Sequence, residues 1–329
     1  MTDQTQLNVE ELKNFIKHMV KNNQHIQSGG KVPVAINIEG DAGLGKTSAI
    51  MQLGSELEME VVKLNLSQLE ELGDLFGFPV KEFQIQNKEG KTTWINESQI
   101  NAASAKGYKV VSKRMSHAAP EWIEGKGEGG FLILDDYTRA DARFMQATME
   151  ILDRQEYVSW KLPKNWHVIL TTNPDNGDYN VTSLDVAQKT RFISVELKYD
   201  SDVWAKWAEH ASIDGRCINF MLMHPELVTQ KVNPRSITTF FNAISSVEKF
   251  DEKLPLIQMI GEGSVGVDFS SMFTMFINNK LDKIIMPKDI LEKDEQYVLN
   301  TLINAVGQDE DFRADISSVI ATRVINYSL

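Results

Sequence analysis

The segment Ile38–Ala49, IEGDAGLGKTSA, restricts the fold more than any other part of the chain. The apolar run VAINI leads into it, and Ile50, Leu53 and Leu57 recur on one side of the stretch that follows. That spacing predicts a strand, a tight loop and a helix in immediate succession. Gly40, Asp41, Ala42, Gly43, Leu44, Gly45, Lys46 and Thr47 fit the pattern G-x-x-x-x-G-K-[ST]. Glycines at these positions let main-chain N–H groups turn inward around phosphate oxygens, the helix N-terminus adds partial positive charge, and Lys46 supplies a full one. Thr47 offers its hydroxyl to a magnesium ion, and Ser48 closes the phosphate-binding stretch.

Four further apolar runs, EVVKLN, GFLILDD, WHVILTTN and FISVEL, read as strands of a buried parallel sheet. With helices between them the chain is α/β. GFLILDD ends in Asp135 and Asp136. Buried strands often end in acids that only cap the next helix, but a phosphate cradle also needs an acid for its metal. Asp135 is therefore expected to hold Mg²⁺ through water, and Asp136 to position or deprotonate the water that attacks the terminal phosphate. Two β-like runs flanking NKEG, within the insert that separates the second and third strands, predict a hairpin near residues 73–96. The 89 positions from Lys46 to Asp135 exceed what a core fold needs, so partner contacts are expected in that insert. Beyond Leu197 the strand signals fade, and DVWAKWAEHA, SITTFFNAISSVEKF and DEQYVLNTLINAV carry helical periodicity. The expected organisation is an N-terminal helix and connector over 1–31, an α/β core over 32–199, and a helical region over 200–329.

Composition narrows the class of partner. With 329 residues, 42% hydrophobic and 24% charged, the chain has the profile of a globular protein. Its net charge of −12 offers the backbone of a nucleic acid little to hold. Cys217, the single cysteine, cannot form an internal disulfide and reads as a core residue. No run is long and apolar enough for a membrane span, and MTDQTQLNVEEL lacks the pattern of a signal peptide, so a cytoplasmic location and no membrane insertion are expected. Trp94, Trp122 and Trp160 could mark pore or partner surfaces, but packing of each against its own strand or loop is the expected arrangement, and the sequence assigns them no role.

The order of these motifs, followed by TTNPDNGDY, resembles an AAA+ ATPase of the MoxR-like group. The resemblance implies a P-loop AAA+ parallel-sheet core followed by a helical lid, with ATP and Mg²⁺ as cofactors. It places Asn173 as the polar residue that contacts the γ-phosphate or the attacking water. In SLDVAQKTRF it makes Arg191 the arginine that reaches a neighbouring subunit's nucleotide, with Arg139 and Arg143 as rivals, and in VNPRSITTF it makes Arg235 the lid arginine that reaches back to the γ-phosphate. QLEELGDLFGFPV resembles the helix-2 insertion shared with magnesium-chelatase ATPase subunits. DVWAKWA is similar to members encoded beside proteins with a von Willebrand factor A domain.

Two departures qualify the transfer. The usual catalytic Glu is Asp136 here, one methylene shorter, and KTRF replaces the common LDRF. The resemblance implies a homo-oligomeric ring, a hexamer, that couples ATP hydrolysis to remodelling or maturation of a protein client, with a von Willebrand factor A domain protein as a candidate. A nucleotide-gated scaffold with slow turnover stays open beside it, as does an ATP-driven nucleic-acid motor, which the acidity disfavours.

Overall fold

The computed structural model describes residues 4–175, 179–278, 285, 287–307 and 313–328. Its strands in chain order are β1 (Gln6–Leu7), β2 (Ala35–Glu39), β3 (Glu60–Asn65), β4 (Pro79–Gln86), β5 (Thr92–Asn96), β6 (Lys109–His117), β7 (Gly130–Asp135), β8 (Glu156–Tyr157), β9 (Trp160–Lys161), β10 (Trp166–Thr172) and β11 (Phe192–Leu197). All five predicted apolar runs are strands of one sheet, in the order β1-β11-β2-β10-β7-β3. Every pairing among β11, β2, β10, β7 and β3 is parallel. Each residue of β7 and β10 is buried, which is why both read as continuous rather than alternating apolar runs. The fold is therefore α/β with a parallel sheet, its crossovers running through helices, followed by a helical C-terminal region.

The chain divides into two compact units: Met1–Thr5, Lys13–Glu39 and Thr47–Glu196 form one, and Gln6–Leu12, Gly40–Lys46 and Leu197–Leu329 the other. The first unit centres on Leu132, Leu134, Tyr137, Trp166, Val168 and Leu170, all at most 2% exposed. Burying one such side chain contributes about 1.5–3 kcal/mol. After Asp136 come two short helices, Ala142–Ala147 and Met149–Arg154. Thr148 separates them, its hydroxyl bonded to the Met145 carbonyl and the Tyr137 hydroxyl.

The insert holds an antiparallel sheet, β5-β4-β6. Its β4–β5 turn uses Asn87, whose Oδ1 accepts from the N–H groups of Glu89 and Lys91, and Gly90 at φ +86°, a left-handed value that favours glycine. The third strand, β6, did not stand out in the sequence because its apolar and basic residues do not alternate. Trp160 and Trp122 pack as expected: Trp160 is buried, Trp122 is packed against the core, and the two indoles donate to the carbonyls of Phe76 and Leu75, both at 2.9 Å. Trp94 instead lies 4.1 Å beneath the Arg114 guanidinium.

The second unit contains the helices Ser201–His210, Gly215–Met223, Pro234–Ala243, Leu254–Ser264 and Val267–Asn278, packed around Phe220, Phe240, Phe241, Phe269 and Phe273. The helix expected to run to Phe250 stops at Ala243. Cys217 is fully buried, and burial pushes its thiol well above the ordinary value. The C-terminal helix Ala314–Ser328 is held by buried Arg323, which donates to Glu209 Oε1 at 2.8 Å and Asn219 Oδ1 at 2.9 Å. No helix among the described residues is long and apolar enough to cross a membrane.

Candidate functional site

In the first unit, Asp135 is the last residue of β7 and sits opposite Asn65 of β3. Burial by itself raises its carboxyl, yet hydrogen bonds from Thr47 and Thr171 and the Lys63 ammonium outweigh that and hold it below the usual carboxylate range. Oδ1 accepts from Thr47 Oγ1 at 2.5 Å and from Thr171 Oγ1 at 2.7 Å, and Oδ2 lies 2.9 Å from Lys63 Nζ. The metal-ligand candidates Thr47 and Asp135 are thus in direct contact although 88 positions apart. One carboxylate and one hydroxyl are hard oxygen donors of the kind Mg²⁺ takes when phosphates and water fill the remaining positions, so the residues fit that ion.

Asp136 adopts φ 51° and ψ 40°, left-handed values uncommon outside glycine. Its N–H donates to the same Thr171 hydroxyl at 3.0 Å, so one threonine fixes both acids. The turn aims the Asp136 side chain away from the strand, where Oδ1 accepts from Asn173 Nδ2 at 3.3 Å and Oδ2 lies 3.8 Å from Arg139. Asn173 follows β10, and its N–H donates to Thr138 Oγ1 at 3.4 Å. Behind it, Thr172 donates to Asn37 at 3.0 Å and Asn37 to Ser194 at 3.2 Å, a polar row across three strands. Asp136 and Asn173 are therefore brought together, as are Thr47 and Asp135.

In the second unit, the loop Gly40–Lys46 has left-handed φ at Gly43 (+81°) and Gly45 (+91°), while a Cβ at Gly45 would meet open space. A Cβ at Gly43 would lie 2.3 Å from Asn233 Oδ1. Asn233 caps the helix Pro234–Ala243, and Gln230 donates to Asp41 at 3.2 Å. Arg235, two residues beyond Asn233, is exposed and has no side-chain hydrogen bond or ion pair among the described residues, and no contact ties it to the loop. Lys46 is 7% exposed, and its Nζ donates to the Gly40 and Asp41 carbonyls at 2.6 and 3.0 Å. Ala42 and Leu44 are half-buried loop residues, and Ser48 is exposed on the first turn of the helix Lys46–Glu56.

Arg191 stands apart from these groups. It donates through Nε to Asp153 Oδ2 at 2.7 Å and through Nη1 to the Ala187 carbonyl at 2.5 Å. Arg143 lies 3.5 Å from Asp141 and is largely exposed. Sequence reasoning missed Lys63, Thr171 and Thr138. Lys63 and Thr171 sit inside strand runs, where a polar residue reads as an interruption of an apolar pattern rather than as a ligand.

No family model matches the chain. A curated relative, Midasin of Dictyostelium discoideum, is 28% identical over 120 residues, which are 33% of this chain and 2% of that protein. The chain thus spans about 2% of the length of the curated relative it matches. Solved structures of Thermotoga maritima RuvB are also similar. A substituted form is 15% identical, with 97% of this chain and 87% of that one covered at a TM-score of 0.44. A structure described as the RuvB Holliday junction branch migration motor is 15% identical, covering 98% and 90% at a TM-score of 0.40.

Proposed function

We propose that the protein is an AAA+ ATPase of the MoxR-like kind, hydrolysing Mg-ATP and assembling into a ring, a hexamer, that remodels a protein client. The observation that carries this reading is the Thr47–Asp135 contact, because it joins the hydroxyl of a phosphate loop to the acid of a distant strand. In this reading Mg²⁺ neutralises phosphate charge when bound. The Gly40–Lys46 loop turns main-chain N–H groups toward the phosphates, and Lys46, now resting on two loop carbonyls, turns its ammonium to them. Asp136 accepts the proton of the attacking water, with Asn173 orienting both. Arg235 approaches the terminal phosphate from the helix that Asn233 packs against the loop. Arg191 acts on the nucleotide of the next subunit after leaving Asp153. A client with a von Willebrand factor A domain, and a location in the cytoplasm, belong to the same proposal.

ATP hydrolysis measured against protein concentration, with mass read in parallel, tests it. Specific activity is expected to rise as assemblies form. Lys46→Ala is expected to lose activity outright, and Arg191→Ala to lose it while still assembling. Activity that does not depend on concentration, in a fully active Arg191→Ala, would remove the shared-site ring.

A second reading is favoured by Asp136, which is shorter than glutamate and held by both Asn173 and Arg139. Under it, nucleotide gates assembly and slow turnover times disassembly. Equal, negligible hydrolysis by the native protein and Asp136→Ala, with assembly still driven by ATP, supports that alternative. Faster turnover in Asp136→Glu locates the deficit in side-chain reach.

A further inference from the structure

The chain carries a net charge of −12, yet residues 79–117 hold seven Lys or Arg against three Asp or Glu, a net of +4, leaving −16 on the rest. These residues build the β5-β4-β6 sheet, the turn between β4 and β5 and the connection from β5 to β6 that holds the short helix Ile100–Ala105, so the folded protein presents one basic sheet on an acidic body. Strand β6 is an edge of that sheet. It is bonded to β4 along one side, and among the described residues Lys109–Ser116 make no other backbone bond to backbone. The edge closes only at His117, whose N–H donates to the Ser159 hydroxyl at 3.0 Å.

Lys109–Met115 are seven consecutive exposed residues, with Val110, Val111 and Met115 between 46% and 58% exposed. Val111 faces no residue of β4, because Ser112 pairs with Gln84 and Val110 with Ile85. Arg114 is already engaged by Glu82 at 2.8 Å and by the Trp94 ring. Lys109 and Lys113 have no ion pair among the described residues. An open edge strand is a template for another strand, and lysines along it repel neutral or basic chains, this protein's own edge included.

We propose that β6 is a docking edge that accepts an extended acidic segment of a partner protein as an added strand. Main-chain hydrogen bonds provide the hold, Lys109 and Lys113 select carboxylates, and the exposed valines and Met115 take apolar side chains between them. A nucleic acid fits less well. Trp94 is covered by a guanidinium, so the sheet lacks the open, charged stacking platform that single strands use. The proposal does not rest on the nucleotide chemistry.

The test uses the full chain without nucleotide and a fluorescein-labelled peptide of alternating Glu and Val, followed by anisotropy at low salt. Two comparison peptides carry the same charge with interspersed proline, or Lys in place of Glu. The acidic peptide is expected to bind, and the proline and Lys peptides to bind at least about tenfold more weakly. The double variant Lys109→Glu/Lys113→Glu is expected to lose about tenfold in affinity. Lys164→Glu/Lys189→Glu, an equal charge change at exposed positions elsewhere, is expected to change it less than about twofold. No binding, equal binding of the proline peptide, equal loss in both double variants, or tighter binding of an oligo-dT probe overturns the proposal. Matching circular dichroism spectra for the variants establish that they are folded.

Discussion

Gly43→Ala probes the phosphate loop through its conformation. Gly43 has φ +81°, where an L-residue with a Cβ pays about 1–2 kcal/mol. The new methyl would also lie 2.3 Å from Asn233 Oδ1, too close for any real contact, so the Asn233 side chain must move. That oxygen accepts the Ser236 N–H at 3.2 Å as the cap of the helix Pro234–Ala243, and losing such a cap costs about 1 kcal/mol. The sum is about 2–3 kcal/mol. Urea denaturation followed by circular dichroism reads it as a shift in midpoint at constant slope. Replacing Asn233 by Gly separates the two parts, since Gly is tolerated at a cap for a few tenths of a kcal/mol. In that background Gly43→Ala should cost only the strain, about 1–2 kcal/mol, leaving a coupling of about 1 kcal/mol between the sites. Nucleotide affinity should fall in both backgrounds, because the N–H groups of the loop are re-aimed. An equal stability loss in both backgrounds would falsify the packing of Asn233 against Gly43 as the constraint on position 43.

Three further outcomes follow from particular contacts. Lys63→Met removes the ammonium beside Asp135, whose carboxyl is held below its ordinary value. A depressed acid contributes stability above its unfolded pKa and loses it as pH falls through the folded one. Because Lys63 is 43% exposed, the deficit should be at most about 1 kcal/mol at neutral pH and shrink as pH falls below the usual carboxylate range in denaturation curves. His167 is 1% exposed and burial lowers it to about 4. The unfolded chain therefore binds its proton first, and stability falls from about pH 6.5 down to 4 by on the order of 3 kcal/mol. His167→Phe should flatten that part of the profile. Asp153→Ala releases Arg191 from its 2.7 Å bond. If Arg191 acts in trans, the protein concentration for half-maximal hydrolysis should drop by about twofold to fivefold, and a rise would refute the parked role.

Much of the candidate site was legible because its signals are local. The glycine spacing before Lys46 and the acids closing GFLILDD are properties of adjacent residues, and β2, β7 and β10 appear where those apolar runs stand. Residues whose role depends on a partner far along the chain were not legible. Thr171 ties Asp135 and Asp136 together from another strand, and Lys63 reaches Asp135 across a parallel register that no local period encodes. The buried row Thr172–Asn37–Ser194 reads in sequence as three imperfections in apolar strands, and it is satisfied only because β10, β2 and β11 are neighbours. The same holds for β6, whose pairing with β4 rather than its own alternation makes it a strand.

By itself the sequence determined the strand–loop–helix at Gly40–Thr47, the apolar runs that must be buried, and the helical character of the C-terminal third, since side-chain periodicity and glycine placement act within a few residues. Only the tertiary structure decided that Thr47 meets Asp135, that Asp136 turns out toward Asn173, that Arg191 rests on Asp153, and that β6 keeps an open edge. Those outcomes depend on which strands become neighbours and in which register. That choice is made by burying the apolar faces of segments distant in the chain, and no short stretch of sequence carries it.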